Sequence, residues 1–387
     1  MPMRLQRSVK GPVSGQMTRG RMVPSAEMAA RLSARLFLEP PLPADFWMKT
    51  MFIVWPCILW SCKGSCKSGE MPDTRRRMKK ALILGRSNGV GLDRDASLVA
   101  DALAGAGLEA VVPPLRGVGA WLSPRCRGEV AFHLERVAPW WKWKARRHFL
   151  IPNQERFPRR LLGTLGMIDH VLCKSRHAAE IFSRHHSSVH YMGFTSEDRM
   201  LPQVEPDYGK FFHLAGRSTL KNTALILELW SDHPEWPELT LVQHPDNAPS
   251  SVPGNVRLLD RYLPDGDLRG LQNSHGVHLC PSLSEGWGHY IVEAMSCRAV
   301  AVVTDAPPMN ELVTPGRGIT VPAERSEPRH LGWNFHAGRD ALERAIQNLV
   351  DAPAEEKRTI GARGRQWYEE NTVAFRNRFT ELVGRLA

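Results

Sequence analysis

The segment that decides the fold reads Leu279-Cys280-Pro281-Ser282-Leu283-Ser284-Glu285-Gly286-Trp287-Gly288-His289-Tyr290-Ile291-Val292-Glu293-Ala294-Met295. An apolar run ends at Cys280, which predicts a buried strand. A polar turn carrying Glu285 follows, then two glycines, then a helical pattern. Gly286 and Gly288 allow backbone to approach a ligand closely. A helix that starts near Gly288 presents free N–H groups and the positive end of its dipole, which suits an anion. Glu285 lies in the loop and Glu293 more than a turn into the helix, so both carboxylates can face one crevice at the strand ends. Carboxylates beside a phosphate repel it unless they hold something else, and sugar or ribose hydroxyls are the natural partners. An isolated pair at this spacing reads as a helix cap and a surface ion pair; the glycines and the buried strand set this one apart.

Outward from this segment, strands alternate with helices. The second half reads as strands at Lys210–Leu214, Leu239–Gln243, Val256–Leu259, Val277–Cys280 and Ala299–Thr304. Helices fit Asn222–Trp230, Leu268–Ser274 and His289–Cys297, and a long helical region runs from about Arg339 to the C-terminus. The first half opens with Ala81–Leu84, then Gly85-Arg86-Ser87-Asn88-Gly89-Val90-Gly91, a helix over Asp95–Ala106 and a strand over Leu108–Val112. Such a β-loop-α-β unit opens a parallel sheet. Val130–Leu134, Phe149–Ile151 and His170–Lys174 are further strand candidates, with a helix from about Arg176 to Arg184. Thr195–Tyr208 is polar and turn-rich and reads as a linker. The result is two α/β halves with a helical tail.

Residues 1–77 differ from the rest. They hold thirteen Lys+Arg against five Asp+Glu, so eight of the eleven net positive charges sit there. The remaining body is only mildly basic, which argues against a general nucleic-acid surface. A short helix fits Ser25–Phe37. The apolar run Met51–Trp60 is too short to span a bilayer and is interrupted by Pro56. The segment reads as a disordered extension or as sequence upstream of the true start at Met78, with peripheral membrane contact as the alternative. Seven scattered cysteines fit a reducing compartment better than a disulfide framework. Cys57, Cys62 and Cys66 match no common zinc spacing.

Glu285-Gly-Trp-Gly and Glu293-Ala-Met together resemble the E-x7-E motif of retaining group 1 glycosyltransferases of the GT-B fold. Ala301–Val313 resembles the strand, turn and N-E-L-V element that follows the motif, and Leu214–Asn222 resembles the family's G-R…K phosphate loop, with one residue fewer between Arg217 and Lys221. The resemblance covers about residues 206–325 well, 78–205 weakly and 1–77 not at all. It implies two Rossmann-like domains facing a central cleft, at 78–205 (acceptor) and 206–370 (nucleotide-sugar donor), with a helix at 371–387 crossing back. It implies that Arg217 and Lys221 bind the donor diphosphate and stabilise the leaving group. Glu285 would hold hydroxyls of the transferred sugar and Glu293 those of the ribose. Gly216, Gly286, Gly288 and the backbone of His289 would line the donor. A UDP-, GDP- or ADP-linked sugar would be the co-substrate, with no further cofactor, and the acceptor would be a glycan, lipid or small molecule. A cytoplasmic enzyme, membrane-associated or free, fits these expectations.

In the first half, Gly91 is a candidate for donor or acceptor contact, with a plain tight turn as the alternative. His133 is a candidate catalytic residue at a strand end, with a core histidine as the alternative. Asn153-Gln154-Glu155-Arg156 follows a strand and is expected to line the cleft. Trp140-Trp141-Lys142-Trp143-Lys144 would stack on a sugar, pack on the sheet or touch a membrane. Asp265-Gly266-Asp267 is a D-x-D, but it follows Pro264 and precedes a helix, so Asp267 reads as an N-cap and no metal is expected. A nicotinamide oxidoreductase is disfavoured: Gly85, Gly89 and Gly91 do not fit G-x-G-x-x-G, and Val111-Val112-Pro113-Pro114 lacks the ribose-binding acid. A non-catalytic sugar or nucleotide binder on the same scaffold is the remaining alternative.

Overall fold

The computed structural model describes residues 79–87, 91–115 and 118–387. All described residues lie in one compact unit, Arg75–Ala387. The expectations for 1–77, for the helix at Ser25–Phe37, for Met51–Trp60 and for Gly89-Val90 fall outside the described residues.

The first sheet is parallel and six-stranded, in the order β2-β1-β3-β4-β5-β6. Its strands are β1 Lys79–Leu84, β2 Leu108–Val111, β3 Val130–Glu135, β4 Arg147–Pro152, β5 His170–Cys173 and β6 Val189–Tyr191. Helix α1 (Gly91–Gly105) links β1 to β2, α2 (Val118–Leu122) precedes β3, and α3 (Arg176–Ser183) follows β5. The second sheet runs β13-β12-β11-β10-β7-β8-β9. It comprises β7 Asp207–Gly216, β8 Leu239–Gln243, β9 Val256–Leu259, β10 His275–Cys280, β11 Val300–Asp305, β12 Ile319–Arg329 and β13 Gly332–Ala337. Only β13 runs antiparallel, as a hairpin partner of β12. Its helices are α4 Thr223–Asp232, α5 Asp265–Ser274, α6 His289–Ser296, α7 Met309–Leu312, α8 Arg339–Asp351 and α9 Ala354–Leu386.

The central strands β3, β4, β8, β10 and β11 are buried on both faces and so carry largely apolar runs. Alternate residues of β1 go to opposite sides: Ala81 and Ile83 join the cluster that contains α1 and α9, and Leu82 and Leu84 join Cys126, Ala131 and Trp141 on the other face. Phe132 and Phe149 stack on neighbouring strands with ring centroids 4.9 Å apart. Each such fully buried side chain contributes roughly 1.5–3 kcal/mol.

The C-terminal helix α9 is continuous from Ala354, with no break at residue 371. The helical region expected from Arg339 is divided at Ala352-Pro353, where proline ends α8 and opens α9. Phe375 and Phe379 of α9 pack on Phe194 and Phe132. The segment between the sheets has no regular structure before β7, so its backbone needs outside partners. Helix α9 supplies them. Asn371 Nδ2 donates to Phe194 O (2.8 Å), Arg378 Nε to Met192 O (3.0 Å) and the Tyr368 hydroxyl to Ser196 O (3.0 Å).

The structure differs from the sequence reading of that segment as a polar linker. Arg199 is fully buried, its Nε donating to Gln272 Oε1 (2.9 Å) and its Nη1 2.8 Å from Asp265 Oδ1. The segment is a packed joint rather than a solvated connection. Asp265 is thereby a structural ion-pair partner. Asp267 is not the N-cap: the helix begins at Asp265 with Pro264 in the cap position, and Asp267 lies in the first turn.

Candidate active site

Both sheets reverse strand order, and crevices open where the loops on either side of a reversal diverge. In the second sheet the reversal lies between β7 and β10. The loop after β7 carries Arg217 and Lys221, and the loop after β10 carries Glu285. The two loops are joined by a hydrogen bond from Leu283 N–H to Leu220 O (2.9 Å). Lys221 Nζ lies 2.5 Å from Glu285 Oε1 and 3.3 Å from the centroid of the Tyr290 ring. Ser282 Oγ donates to the same Glu285 oxygen at 2.6 Å. Burial pushes the Tyr290 hydroxyl well above its ordinary range, with Cys280 and Glu285 adding to it, so the ring stays a neutral floor for the ammonium.

Gly288 caps α6 at φ 103°, a left-handed conformation that favours glycine. Gly286 is required by a close approach: a Cβ there would sit 2.5 Å from Asn153 Oδ1. The loop after β4 thus presses on the Glu285 loop, and Gln154 Nε2 donates to Glu285 O at 2.7 Å. Of the turn Asn153–Arg156, Asn153 and Gln154 touch the Glu285 loop.

Glu155, in the same turn, is buried, and its Oε2 has no hydrogen-bond partner; nor has Gln154 Oε1. Burial pushes the Glu155 carboxyl from about 4.5 up to about 7, its own backbone opposes this, and Glu285 adds to it. The folded state therefore holds this proton more tightly than the unfolded chain. Its stabilising contribution is complete below about pH 4.5 and is lost as pH rises through about 7. Glu155→Gln keeps the shape without the charge. It is expected to be more stable than the parent by up to about 3 kcal/mol at pH 8 and indistinguishable at pH 4.5. Urea unfolding at the two pH values checks this; an equal difference at both contradicts the role of the charge.

Glu293 is fully buried on α6. One oxygen is paired with Arg94 of α1, and the other accepts from Gln272 Nε2 at 2.9 Å. His289 opens α6 and bridges the halves: Nδ1 is 2.9 Å from Ser196 Oγ and Nε2 is 2.9 Å from Asp95 Oδ1. Asp95 is itself buried, 2.6 Å from Lys174 Nζ, which also donates to Asn153 Oδ1 at 3.1 Å. Burial opposes ionisation of Asp95, but Lys174 and then His289 outweigh it and hold the carboxyl below its ordinary value. Lys174, Asp95 and His289 thus form one connected network and Lys221 and Glu285 another, with Glu293 paired to Arg94.

The remaining candidates fall differently. Arg217 is exposed and donates from Nη2 to His244 Nε2 at 2.8 Å, apart from the Lys221–Glu285 pair. Gly216 closes β7 just before it. Gly91 is the first residue of α1, and a Cβ there would meet nothing within 4 Å, so no close approach demands glycine. His133 is corrected: it is a core residue. Ala138 N–H donates to its Nδ1 at 3.0 Å, so the proton sits on Nε2 and faces His148 Nδ1 at 3.0 Å. His148 Nε2 then donates to Lys142 O at 2.9 Å. Burial, then His148, pushes His133 down to about 3. With both nitrogens committed and its side chain buried, His133 is not placed for acid–base work.

The Asp95–Lys174 pair and the Arg94–Glu293 pair were missed. A lysine directly after the apolar strand His170–Cys173 was a signal, because a strand end facing a crevice is where a buried charge finds use; its partner 79 residues away was not visible. Among the described residues no group of three or more His, Cys, Asp or Glu is arranged to hold a metal. No helix among them is long and apolar enough to cross a membrane. The four described cysteines are free and buried.

Residues 253–367 match the family described as glycosyl transferases group 1. The match spans less than a third of the chain; the fold is the GT-B fold. Sucrose-phosphate synthase from Thermosynechococcus elongatus superposes with a TM-score of 0.61 at 16% identity, covering 80% of this chain and 99% of that one. HepE from Anabaena, in complex with UDP and glucose, gives 0.60 at 14%, covering 80% and 100%. A glycosyltransferase from Rickettsia africae gives 0.60 at 12%, covering 80% and 99%. No curated protein matches the chain by sequence.

Proposed function

We propose that this protein moves a glycosyl group from a nucleoside-diphosphate sugar to a glycan, lipid or small-molecule acceptor, with retention of anomeric configuration and without a metal or further cofactor. The observation that carries this reading is the Lys221–Glu285 pair at the strand-order reversal, beside the free N-terminus of α6. Glu285 takes hydroxyls of the sugar. Lys221 meets the diphosphate, and Arg217 adds a second cation at the rim. The first backbone N–H groups of α6, at Gly288 and His289, meet phosphate oxygens. Both Glu293 oxygens already accept hydrogen bonds, so ribose hydroxyls share or displace the Arg94 contact. As the bond from sugar to phosphate breaks, Lys221 and Arg217 stabilise the charge developing on phosphate, and that phosphate takes the acceptor's proton. The product anomer, read by NMR, tests retention. A chelator that abolishes activity, restored by metal, would count against the metal-free reading. The enzyme works at the cytoplasmic side, with peripheral membrane contact.

The testing experiment is a thermal-shift and donor-hydrolysis screen against UDP-, GDP- and ADP-sugars. Uridine comes first because HepE is in complex with UDP-glucose. One nucleotide class is expected to raise the melting temperature, and Arg217→Ala to reduce that shift while leaving the unliganded melting temperature within about 0.5 kcal/mol in stability, because Arg217 is exposed. Absence of a shift with all three classes would remove the donor-site reading.

A further inference from the structure

Pro139-Trp140-Trp141-Lys142-Trp143-Lys144 forms a 3-10 helix between β3 and β4. With three residues per turn, positions i and i+3 lie one above the other. Trp141 and Lys144 therefore form the inner row and are buried. Trp140 and Trp143 form the outer row, 83% and 81% exposed. Beside them lie Trp121 and Leu122 of α2, also exposed. Trp121 Nε1 donates to Trp140 O at 2.8 Å, and Lys144 Nζ sits 5.0 Å from the Trp121 ring centroid. The base of the patch is rigid: Trp141 packs among Leu82, Leu84 and Cys126, and the His133–His148 relay ends on Lys142 O.

Isolated exposed apolar side chains need no explanation, but a cluster of them does. Three indoles and a leucine together on a fixed base are a surface waiting for a cover. Charge says which cover. Residues 118–147 hold seven Lys+Arg against two Glu. Arg125, Arg127, Lys142 and Arg146, in the same stretch of chain as the indoles, are exposed. Glu129 is the nearer acid, and it is paired with Arg146 at 3.6 Å. Tryptophan prefers the boundary between headgroups and acyl chains, and cations beside it are drawn to anionic headgroups. Sugar stacking is the weaker reading: at this exposure the outer indoles lack the walls that would grip a sugar's hydroxyls. The patch also lies on the face of the first sheet opposite α1 and α9, since Leu82 and Leu84 point to it while Ala81 and Ile83 point to them. Docking there leaves the crevice accessible.

We propose that Trp121, Leu122, Trp140 and Trp143, together with Arg125, Arg127, Lys142 and Arg146, form a docking surface for an anionic lipid bilayer. This deepens the membrane contact proposed above and is independent of the donor-site reading. The test is flotation of the full chain with vesicles of phosphatidylcholine alone and of equimolar phosphatidylcholine and phosphatidylglycerol. Binding is expected only to the anionic vesicles, weakening as salt is raised, with a blue shift of tryptophan emission. The double variant Trp140→Ser, Trp143→Ser should lower partitioning about tenfold or more, and Lys142→Glu with Arg146→Glu likewise. An unchanged melting temperature and an unchanged response to nucleotides show that the variants are folded and that the donor site is a separate matter. Absence of vesicle binding overturns the proposal. So does equal binding by parent and double tryptophan variant, which would assign the contact to residues elsewhere in the chain. Quenching of the indoles by soluble oligosaccharides without vesicle binding would replace it with a carbohydrate surface.

Discussion

Lys221→Ala is expected to slow sugar transfer about 10²–10³-fold, the size of effect seen when one donor to a developing oxyanion is removed. The fold should survive. Glu285 keeps the hydrogen bond from Ser282, and the two crevice loops stay joined through Leu283 and Leu220. The lost ion pair is mostly shielded, with both side chains 14% exposed, so its loss costs more than the about 1 kcal/mol of an exposed pair and less than the about 3–5 kcal/mol of a fully buried one. The kinetic signature matters more than the size. If Lys221 acts on the departing phosphate, kcat and kcat/KM fall together; if it only holds the donor, KM rises and kcat stays. The second outcome would remove the leaving-group role. Lys221→Arg should recover part of the rate, because the charge returns in a planar head that the Tyr290 ring can still support.

The parts of this site readable from the sequence are those that neighbouring residues define. Lys221 and Glu285 each follow a buried strand and sit in a short loop, so strand, loop and helix pattern place them at one edge of one sheet. The polar turn at Asn153–Arg156, directly after β4, was legible for the same reason. Strands β6 and β12–β13 were not. β6 is three residues long with a histidine at its centre, and β12 is a largely exposed strand of Glu, Arg, Ser and Pro whose pairing comes from its hairpin partner. His133 misled because a polar residue late in an apolar strand looks the same whether it faces a cleft or ends a tautomer relay; only the Ala138 N–H decides. Pairs that cross the molecule left no local trace. Arg94 and Glu293 are 199 residues apart, and Asp95 and His289 are 194 apart. The resemblance implied a ribose-binding role for Glu293, with a surface ion pair as the plain alternative; in the structure Glu293 is buried and pairs with Arg94, tying α6 to α1.

Lys174→Met is expected to destabilise the protein by about 3–5 kcal/mol, the usual consequence of leaving a buried charge without its partner. Against a typical total of about 5–15 kcal/mol this is a large share. Lys174 and Asp95 are both almost fully buried and 2.6 Å apart. Methionine fills the volume of the lysine stem, so the cost reports on charge rather than on a cavity. Asp95 would keep the hydrogen bond to His289 Nε2 but lose its lysine partner, and Asn153 Oδ1 would lose its donor. The pH dependence should change too. In the parent, a carboxyl held below its ordinary value contributes stability above that ordinary value and loses it as pH falls through the lowered one. In Lys174→Met the main support of the ionised form is gone, so this acid-side loss should shrink. The decisive control is Asp95→Asn in the same chain: with no charge left to strand, the double variant should be more stable than Lys174→Met alone, a coupling that a double-mutant cycle reads directly. A cost below about 1 kcal/mol, or a double variant no better than the single, would mean that packing rather than the ion pair holds this corner. Because His289 carries the same network to the first turn of α6, Lys174→Met should also weaken donor binding from a position outside the proposed donor contacts.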